Sequence, residues 1–308
     1  MKLGTVLFEG NERVVVETEE GRAALVPHEV AASIIDLIRS WPEGRERLKR
    51  AAQVEPSFVM GDLTWLPPVP APGKVVCVAL NNSANKTRIM SGPSHPATFI
   101  KPASSLIGHG APIKLRAEYG RVHPEPELAV IIGRTASGVS AEDAMGHVFG
   151  YTILNDLTSP TMRAEDTFHY RAIHPRSDGT EGIEYVDSWV SYPGRYKGAD
   201  TFGPIGPWIA TLDELADPHD LAITCSHQGR VVTKDNTGNL TNQTADVIAF
   251  VSSYQSLYPG DVLALGTALQ ADSVQGGAIQ NIDLNKLGGP IEVTISGIGA
   301  LSNPVVHL

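Results

Sequence analysis

The stretch from His123 to Gly133 constrains the fold of this chain more than any other. It reads His-Pro-Glu-Pro-Glu-Leu-Ala-Val-Ile-Ile-Gly, so two glutamates lead directly into an apolar run. Residues two apart on a strand point to the same face, so Glu125 and Glu127 project together, joined by His123 if the strand begins early enough. The apolar run predicts that this strand continues into a core. Two carboxylates at the head of a buried strand are unfavourable unless a cation lies between them.

A second apolar stretch, from Gly150 to Leu154, ends in Asn155 and Asp156. Asp156 can therefore supply a third carboxylate to the same cation. Three carboxylates with positions left for water are typical of Mg²⁺ or Mn²⁺, whereas zinc prefers histidine and cysteine. The alternative is a solvated strand edge, and Pro126 fits that alternative because proline removes a ladder donor and favours strand starts and edges.

The composition argues against several classes of partner. The 308 residues carry a formal net charge of −10, which disfavours nucleic acid and anionic membranes but allows a small anionic substrate held by a local cation. The N-terminus lacks an apolar signal region and no apolar run approaches 18 residues, so we expect a soluble, cytoplasmic protein. The cysteines, Cys77 and Cys225, lie singly in apolar runs and are expected in the core.

The pattern along the chain predicts a mixed α+β fold that is mostly β. The 30 glycines, 22 prolines and few aromatic residues favour strands and turns over a helix bundle. Four prolines within 62–73 stiffen the chain and block helix, so we predict a small N-terminal α+β domain at 1–72 and a larger domain at 73–308. The stretch 159–196 is long for a connection, which is typical of a lid or binding element. The glycine-rich segment 273–280 lacks the Gly-Lys-Ser/Thr ending of a phosphate loop and is expected to be a flexible or substrate-facing loop.

Four sequence blocks, taken together and in this order, resemble the fumarylacetoacetate hydrolase family over roughly residues 74–306. The blocks are Pro124-Glu-Pro-Glu-Leu-Ala-Val-Ile-Ile-Gly133, Gly150-Tyr-Thr-Ile-Leu-Asn-Asp156, Lys197-Gly-Ala-Asp-Thr-Phe-Gly-Pro-Ile-Gly-Pro-Trp208 and Leu257-Tyr-Pro-Gly-Asp-Val-Leu-Ala-Leu-Gly-Thr267. The resemblance implies a rolled, mixed β-sheet core, a divalent ion that is usually Mg²⁺, and usually a homodimer.

Matched position by position, the resemblance also implies roles for individual residues. It implies that the metal is bound by three carboxylates, those of Glu125, Glu127 and Asp156. It implies that Lys197 faces the oxyanion of a substrate beside the metal. Thr267 is expected to contact the substrate's carboxylate or carbonyl, and Lys101, in a Phe-Ile-Lys-Pro block, is expected near the cavity.

The chain departs from the family at the lid motif Asn-Tyr-x-x-His-x-x-Glu. Asn82 stands at the tyrosine position, Asn85 at the histidine and Arg88 at the glutamate. In hydrolytic members the His–Glu pair deprotonates the attacking water, but an amide cannot act as a general base and arginine stays protonated. We therefore expect Asn82 and Asn85 to bind substrate. The base would then be another histidine, because the ordinary pKa of histidine suits that role. Three histidines are candidates, each of which can equally be a plain surface residue: His169, His174 and His95.

Three interpretations of the function remain open. The first is metal-dependent hydrolysis of a C–C bond in a small 1,3-dicarbonyl or 2-oxo carboxylate resembling an acylpyruvate, as in the catabolism of aromatic compounds. The second is isomerisation, tautomerisation or decarboxylation of a 2-oxo acid, for which a metal that polarises the carbonyl and Lys197 beside the enolate suffice. The third is a ligand-binding protein that keeps the metal but has lost catalysis.

Overall fold

Strands and helices follow one another in the order that the sequence pattern predicts, from a strand-rich N-terminus through two helices to a mostly β body. The computed structural model describes residues 1–52, 57–269 and 279–308. Most of the glycine-rich segment, 273–278, therefore lies outside the described residues. No helix in the described part of the chain is both long and apolar enough to cross a membrane.

The strands of the described residues are β1 (Lys2–Phe8), β2 (Asn11–Glu19), β3 (Arg22–Leu25), β4 (Ser57–Val59), β5 (Thr64–Trp65), β6 (Val75–Ala79), β7 (Ala97–Lys101), β8 (Leu106–Ile107), β9 (Ile113–Leu115), β10 (Pro126–Ile132), β11 (Val148–Asn155), β12 (Thr167–Pro175), β13 (Ile183–Ser191), β14 (Gly203–Pro204), β15 (Ile209–Thr211), β16 (Ala222–His227), β17 (Arg230–Asn236), β18 (Val262–Thr267), β19 (Ile291–Ile295), β20 (Gly299–Asn303) and β21 (Val305–His307). The α-helices are α1 (Ile34–Arg39), α2 (Glu43–Ala52), α3 (Ala141–Ala144), α4 (Pro160–Glu165), α5 (Gly194–Gly198), α6 (Thr244–Tyr254) and α7 (Leu284–Leu287).

An eleven-stranded sheet forms the centre of the molecule. Its strand order is β4-β3-β2-β1-β15-β11-β10-β18-β6-β7, with β5 also paired to β1. The β18–β6 pair is parallel and the other pairs along this path are antiparallel. The sheet is thus mixed, and the predicted fold class is confirmed.

Strands β10 and β11 lie in the interior of this sheet. Every residue of both strands is buried, as expected of apolar runs covered on both faces. Gly150 permits the approach of β15 to β11, because a Cβ at this position would lie 2.3 Å from the carbonyl oxygen of Ala210. The register pairs Pro126 with Asn155, so the first residues of β10 face the last residues of β11.

The N-terminal strands continue the same sheet. Leu3 of β1 pairs with Ile209 of β15, so the sheet passes through the predicted boundary at 72/73. The α+β character expected of 1–72 is seen in helices α1 and α2 beside these strands, and Ser33 caps α1 by accepting a hydrogen bond from the backbone N–H of Asp36. The division into two domains stays a prediction.

A smaller antiparallel sheet, in the order β17-β16-β19-β20, joins the main core of the C-terminal region. Its β16–β17 pair is an antiparallel hairpin, and α6 follows it in the chain. Asp235 lies near the end of β17 and accepts a hydrogen bond from the Leu269 N–H, two residues after Thr267 ends β18.

The stretch 159–196 contains a hairpin that we call the arm, residues 167–191, in which β12 pairs with β13 over their full lengths. The arm lies between α4 and α5, and therefore between Asp156 and Lys197 along the chain. No residue of either strand is buried.

Candidate metal centre

Three carboxylates converge where β10 begins and β11 ends. Glu125, Glu127 and Asp156, which we call the carboxylate cluster, each offer an oxygen, and these oxygens lie within 4.8 Å of one another. The two strands are fixed here by a hydrogen bond of 2.8 Å from the backbone N–H of Asp156 to the carbonyl oxygen of Glu125. The structure therefore brings together the three residues expected to bind the metal.

The end of β18 supplies hydrogen-bond donors that orient two of these carboxylates. The Thr267 hydroxyl lies 3.1 Å from both Glu125 Oε2 and Glu127 Oε1 and can donate its single hydrogen to either. The Gly266 N–H donates to Glu127 Oε2 at 3.0 Å. Gly266 has φ of +103° and lies against Asn81, where a Cβ would approach the Asn81 Cβ to 2.8 Å. Glycine is thus required for this donor to reach the cluster.

Lys197 bridges two carboxylates of the cluster. Its Nζ donates to Glu125 Oε2 at 2.6 Å and to Asp156 Oδ2 at 2.5 Å. Burial lowers the pKa of this ammonium, but Asp156 and Glu125 outweigh that effect and raise the pKa above its usual value. Lys197 is therefore held as a cation beside the cluster.

Lys101 is a second buried lysine at the cluster. Its Nζ lies 2.9 Å from Asp156 Oδ1 and donates to the carbonyl oxygens of Phe202, at 3.0 Å, and of Lys197. Two of the three N–H donors of this ammonium are thus taken by backbone carbonyl oxygens, and its charge pairs with Asp156. The location of Lys101 beside the cluster is as expected, and these partners favour a role in positioning Asp156.

The cluster carries more negative charge than its lysines balance. Three carboxylates face two ammonium groups in a buried environment. Burial raises the pKa of Glu127 well above its usual value, and the neighbouring Asp156 raises it further. Burial would also raise the pKa of Glu125, but Lys197 and His123 hold it below the usual range. The remaining charge on Glu127 calls for another cation.

The donor set fits a hard dication. Its ligands are carboxylate oxygens alone, which is typical of Mg²⁺ and Mn²⁺ rather than zinc. Within the described residues, Asp156 Oδ1 has an ion-pair partner but no partner in hydrogen-bond geometry, so it retains acceptor capacity. The residues present are thus those that would hold a divalent ion.

The altered lid positions are buried next to this centre but are hydrogen-bonded within the protein. The Asn82 amide donates to Asp235 Oδ2 at 2.9 Å and to the carbonyl oxygen of Thr267 at 3.2 Å. Asn85 accepts a hydrogen bond from the Arg88 guanidinium. The substrate-binding role expected of both asparagines stays a prediction.

Asp235 is a residue near the centre that sequence reasoning missed. Besides Asn82, it accepts hydrogen bonds from the Asn239 amide at 2.7 Å and from the Leu269 N–H at 2.7 Å. It thereby ties the altered lid to the segment that follows β18. No motif or spacing marks this aspartate in the sequence. Its partners Asn236 and Asn239 are local, but Asn82 and Leu269 lie more than 30 residues away along the chain.

The candidate histidines lie in two different environments. His169 and His174 are exposed residues of the arm, and the His169 ring lies 6.3 Å from that of Trp189. The His95 ring stacks on Phe250 with centroids 4.8 Å apart. None of the three joins the carboxylate cluster, so a role as general base stays a prediction for each.

His123 does reach the cluster. Its Nε2 lies 3.1 Å from Glu125 Oε1, on the side of Glu125 away from Lys197. The sequence predicts that His123 shares a face with the glutamates, and the structure places it as a partner of Glu125.

Comparison with known proteins identifies relatives over most of the chain. Residues 74–306 match the family model described as the C-terminal part of fumarylacetoacetate (FAA) hydrolase. Oxaloacetate tautomerase FAHD2A from Homo sapiens, a protein named as mitochondrial, is 34% identical over 257 residues, which is 83% of this chain and 73% of the relative.

Solved structures agree over the whole chain. Maleylpyruvate hydrolase from Sphingobium sp. SYK-6, in complex with manganese(II) and pyruvate, is 27% identical with a TM-score of 0.75, covering 100% of this chain and 99% of that one. A 5-carboxymethyl-2-hydroxymuconate delta-isomerase from Mycobacterium smegmatis is 27% identical with a TM-score of 0.70, covering 100% of both chains. Because the family model matches residues 74–306 and a relative is 34% identical over 83% of this chain, the chain belongs to the fumarylacetoacetate hydrolase family.

Proposed function

We propose that this protein is a divalent-metal-dependent enzyme that tautomerises or isomerises small 2-oxo carboxylates, with oxaloacetate-like dianions as the substrate class. The observation that carries the proposal is the pairing of Lys197 and Lys101 with three buried carboxylates, next to a lid that has amides in place of a base. Relatives named as an oxaloacetate tautomerase and a hydroxymuconate isomerase support this choice.

The metal would be held by the carboxylate cluster, and Mg²⁺ or Mn²⁺ is proposed. When bound, a dication polarises the carbonyl of a chelating 2-oxo acid as a Lewis acid. With it, the centre carries three negative charges from the cluster and four positive charges from the dication and two lysines. That balance favours an anionic ligand.

Residues of the chain itself would stabilise the enolate and position the metal ligands. Removing a proton next to a carbonyl leaves negative charge on the carbonyl oxygen, and a fixed ammonium beside that oxygen lowers the barrier. Lys197 holds such an ammonium against Glu125 and Asp156. Lys101 positions Asp156, and Thr267 positions both glutamates.

The lid region supports a reaction that does not require an activated water molecule. Hydrolysis needs a base close to the attacking water, and imidazole is the group that most often serves. At the lid, Asn85 presents an amide that is already paired with Arg88. Tautomerisation needs no activated water molecule, because the proton that leaves C3 can pass to solvent once the cations described above stabilise the enolate.

Hydrolysis of a C–C bond, the first expectation from the sequence, is the second candidate. Similarity over the whole chain to a maleylpyruvate hydrolase favours it. In that case one of His95, His169 and His174 would act as the base.

One experiment separates these candidates. The protein is stripped of metal with EDTA, reloaded with Mg²⁺ or Mn²⁺, and incubated in D₂O with oxaloacetate, an acylpyruvate and a 2-hydroxy-dienoate. NMR follows deuterium uptake at C3, double-bond shift, and release of pyruvate. Faster metal-dependent exchange or isomerisation without C–C cleavage supports the proposal.

The outcomes that contradict the proposal are equally distinct. Metal-dependent release of pyruvate from the acylpyruvate would establish the hydrolase, and release from oxaloacetate with CO₂ would establish a decarboxylase. Tight binding with no turnover of any substrate would indicate a ligand-binding protein. Glu127→Gln serves as the inactive variant, and Glu142→Gln, an exposed residue of α3, as its matched control.

A further inference from the structure

One stretch of the sequence concentrates positive charge. Residues 63–117 contain four lysines and two arginines but no aspartate or glutamate, whereas the whole chain carries a net charge of −10. This cationic stretch includes β6, β7 and, between them, residues 82–88, which we call the lid segment. A local excess of positive charge in an acidic protein attracts small anions.

Two of these cations are balanced by buried acids from other parts of the chain. Lys74 forms an ion pair with Asp261, and Lys101 forms one with Asp156. The other four cations of the stretch have no carboxylate at ion-pair distance within the described part of the chain. One of these four is Arg88 of the lid segment. Its guanidinium thus keeps its charge available for an anion that is not part of the protein.

Hydrogen bonds connect Arg88 to the carboxylate cluster. The side-chain amide of Asn82 donates to the carbonyl oxygen of Thr267, whose hydroxyl contacts the two glutamates of the cluster. The Asn82 carbonyl oxygen accepts from the Asn85 N–H at 2.8 Å, and the Asn85 carbonyl oxygen accepts from the Arg88 N–H at 2.8 Å. Two short turns, from Asn82 to Asn85 and from Asn85 to Arg88, therefore lead from the end of β18 to the guanidinium.

The Arg88 side chain is held at the boundary between protein and solvent. Its guanidinium donates to Asn85 Oδ1, and Asn85 is only 1% exposed, so the contacted oxygen is buried. Arg88 itself is exposed, which leaves the outer part of the guanidinium open to a ligand. A guanidinium has five N–H donors, and within the described residues Asn85 is the one side chain that accepts from it. It therefore retains donors for a carboxylate.

The proposed substrate class has a second charge that the carboxylate cluster does not balance. An oxaloacetate-like dianion would chelate the metal through its 2-oxo group and the adjacent carboxylate, which leaves the far carboxylate, at C4, without a partner. Lys197 is already bound to Glu125 and Asp156. Two donors of Lys101 are taken by backbone carbonyl oxygens. The far carboxylate therefore calls for a cation outside the cluster.

We propose that Arg88 binds this far carboxylate and thereby selects dicarboxylates over monocarboxylates, an inference that rests on the proposed function. A guanidinium and a carboxylate form two parallel hydrogen bonds, a geometry that an ammonium does not offer. Asn85 is then a positioning residue, because its buried oxygen fixes the guanidinium. The far carboxylate is not the reacting centre, so Arg88 should contribute to substrate binding more than to the chemical step.

Calorimetry with unreactive ligands tests this assignment without turnover. Protein loaded with Mn²⁺ is titrated with malate and with 2-hydroxybutyrate, in which a methyl group replaces the far carboxylate. Wild-type protein should bind malate at least about tenfold more tightly, as expected of hydrogen bonds between charged groups. Arg88→Gln keeps a donor for Asn85 but loses the charge, and it should bind both ligands about equally. The matched control, Lys86→Gln, removes another exposed charge of the lid segment and should keep the preference.

The kinetics of deuterium exchange at C3 give a second measurement. With oxaloacetate, Arg88→Gln should raise KM about tenfold and change kcat less than about threefold, because it removes a contact made equally before and during the reaction. With the 4-methyl ester of oxaloacetate, which lacks the far charge, both constants should stay within about twofold of wild type. Arg88→Lys keeps the charge without the paired donors, so its KM for oxaloacetate should lie in between. It keeps the test decisive if Arg88→Gln fails to fold.

The outcomes separate this assignment from the proposed function. If neither oxo acid shows metal-dependent exchange, but Arg88→Gln abolishes a wild-type preference for malate, the proposed function fails and the assignment of Arg88 is supported. Equal wild-type affinity for malate and 2-hydroxybutyrate, or an unchanged preference in Arg88→Gln, would overturn the assignment. Equal losses in Arg88→Gln and Lys86→Gln would indicate general attraction by positive charge, and would also overturn it.

Discussion

The carboxylate cluster and the arm are adjacent in the chain but reach stability in opposite ways. Along the chain, the arm lies between Asp156, the third carboxylate of the cluster, and Lys197, the lysine that pairs with it. At the cluster, charged groups are buried and each has a partner within the same chain. On the arm, apolar groups are exposed, and no other described part of the chain covers them.

This difference indicates which change in conditions should affect each region. Buried charges remain unfavourable unless an opposite charge lies close by, so the cluster should respond to the loss of a lysine and to metal ions. The exposed side chains of the arm carry no such buried charge, so the arm should respond to neither change. Four predictions test this contrast.

Lys197→Met should have the largest effect, because it leaves Glu125 and Asp156 buried without their shared cation. Breaking a buried ion pair by removing one partner lowers the free energy of unfolding by about 3–5 kcal/mol. Urea unfolding of the metal-free protein measures this loss, with Lys234→Met, an exposed lysine of β17, as control.

Added Mn²⁺ should recover much of the lost stability of Lys197→Met, because a dication can compensate the same carboxylates. A variant as stable as wild type without metal would show that the cluster does not depend on Lys197. A destabilised variant that Mn²⁺ fails to rescue would show that the carboxylates do not hold the ion.

Glu127→Gln should separate metal binding from folding. Loss of one of three carboxylate ligands should weaken Mn²⁺ binding by at least ~100-fold, since even residues behind the ligands contribute 10–100-fold. The free energy of unfolding without metal should not fall, because burial and Asp156 already disfavour the charge on Glu127. Calorimetric titration with Mn²⁺ and urea unfolding give both quantities.

Glu142→Gln provides the control for that titration, since it removes an exposed carboxylate. Unchanged Mn²⁺ affinity in Glu127→Gln would exclude the carboxylate cluster as the metal site. The buried carboxylates would then be stabilised by Lys197 and Lys101 without a metal ion.

Asp235→Asn should have a smaller effect that is confined to the lid. The variant replaces a carboxylate that accepts hydrogen bonds from Asn82, Asn239 and Leu269. Leaving such donors poorly paired lowers stability by about 1–3 kcal/mol. Mn²⁺ affinity should stay the same, because Asp235 is not one of the clustered carboxylates.

Thermal unfolding and calorimetry of Asp235→Asn are best compared with those of Asp62→Asn, an exposed control. A fall in Mn²⁺ affinity would show that the lid and the cluster are coupled. Stability equal to that of the control would show that Asn82 does not depend on Asp235.

Sequence periodicity predicts the cluster because its geometry is local. Glu125 and Glu127 share a face through the two-residue repeat of a strand, and the pairing of β10 with β11 brings Asp156 to them. The position of Lys197 could be inferred only from the resemblance, since α5 reaches the cluster through long-range packing.

Other features could not be derived from the sequence because they depend on contacts between residues that are far apart in the chain. Lys101 and Asp235 act through partners on distant elements. The continuity of the sheet through 72/73 depends on the β1–β15 pairing, which no local pattern marks. The alternation of β-branched and aromatic residues in 167–191 is a signal for strands, but the histidines, charges and glycines among them obscured it.

The arm histidines give the smallest expected effect and the sharpest test of whether the cluster works alone. If the cluster and Lys197 suffice, His169→Ala and His174→Ala should each change turnover by less than about twofold, because both side chains are exposed on the arm. Turnover is measured with metal-loaded protein, and sedimentation confirms that each variant keeps the wild-type oligomeric state. His28→Ala, an exposed histidine of the N-terminal region, is the matched control.

A loss of about 10²-fold in either arm variant is what removal of a general base produces. Because both side chains lie on the arm, such a loss would mean that the arm contributes to catalysis, and the separation of the two regions would fail.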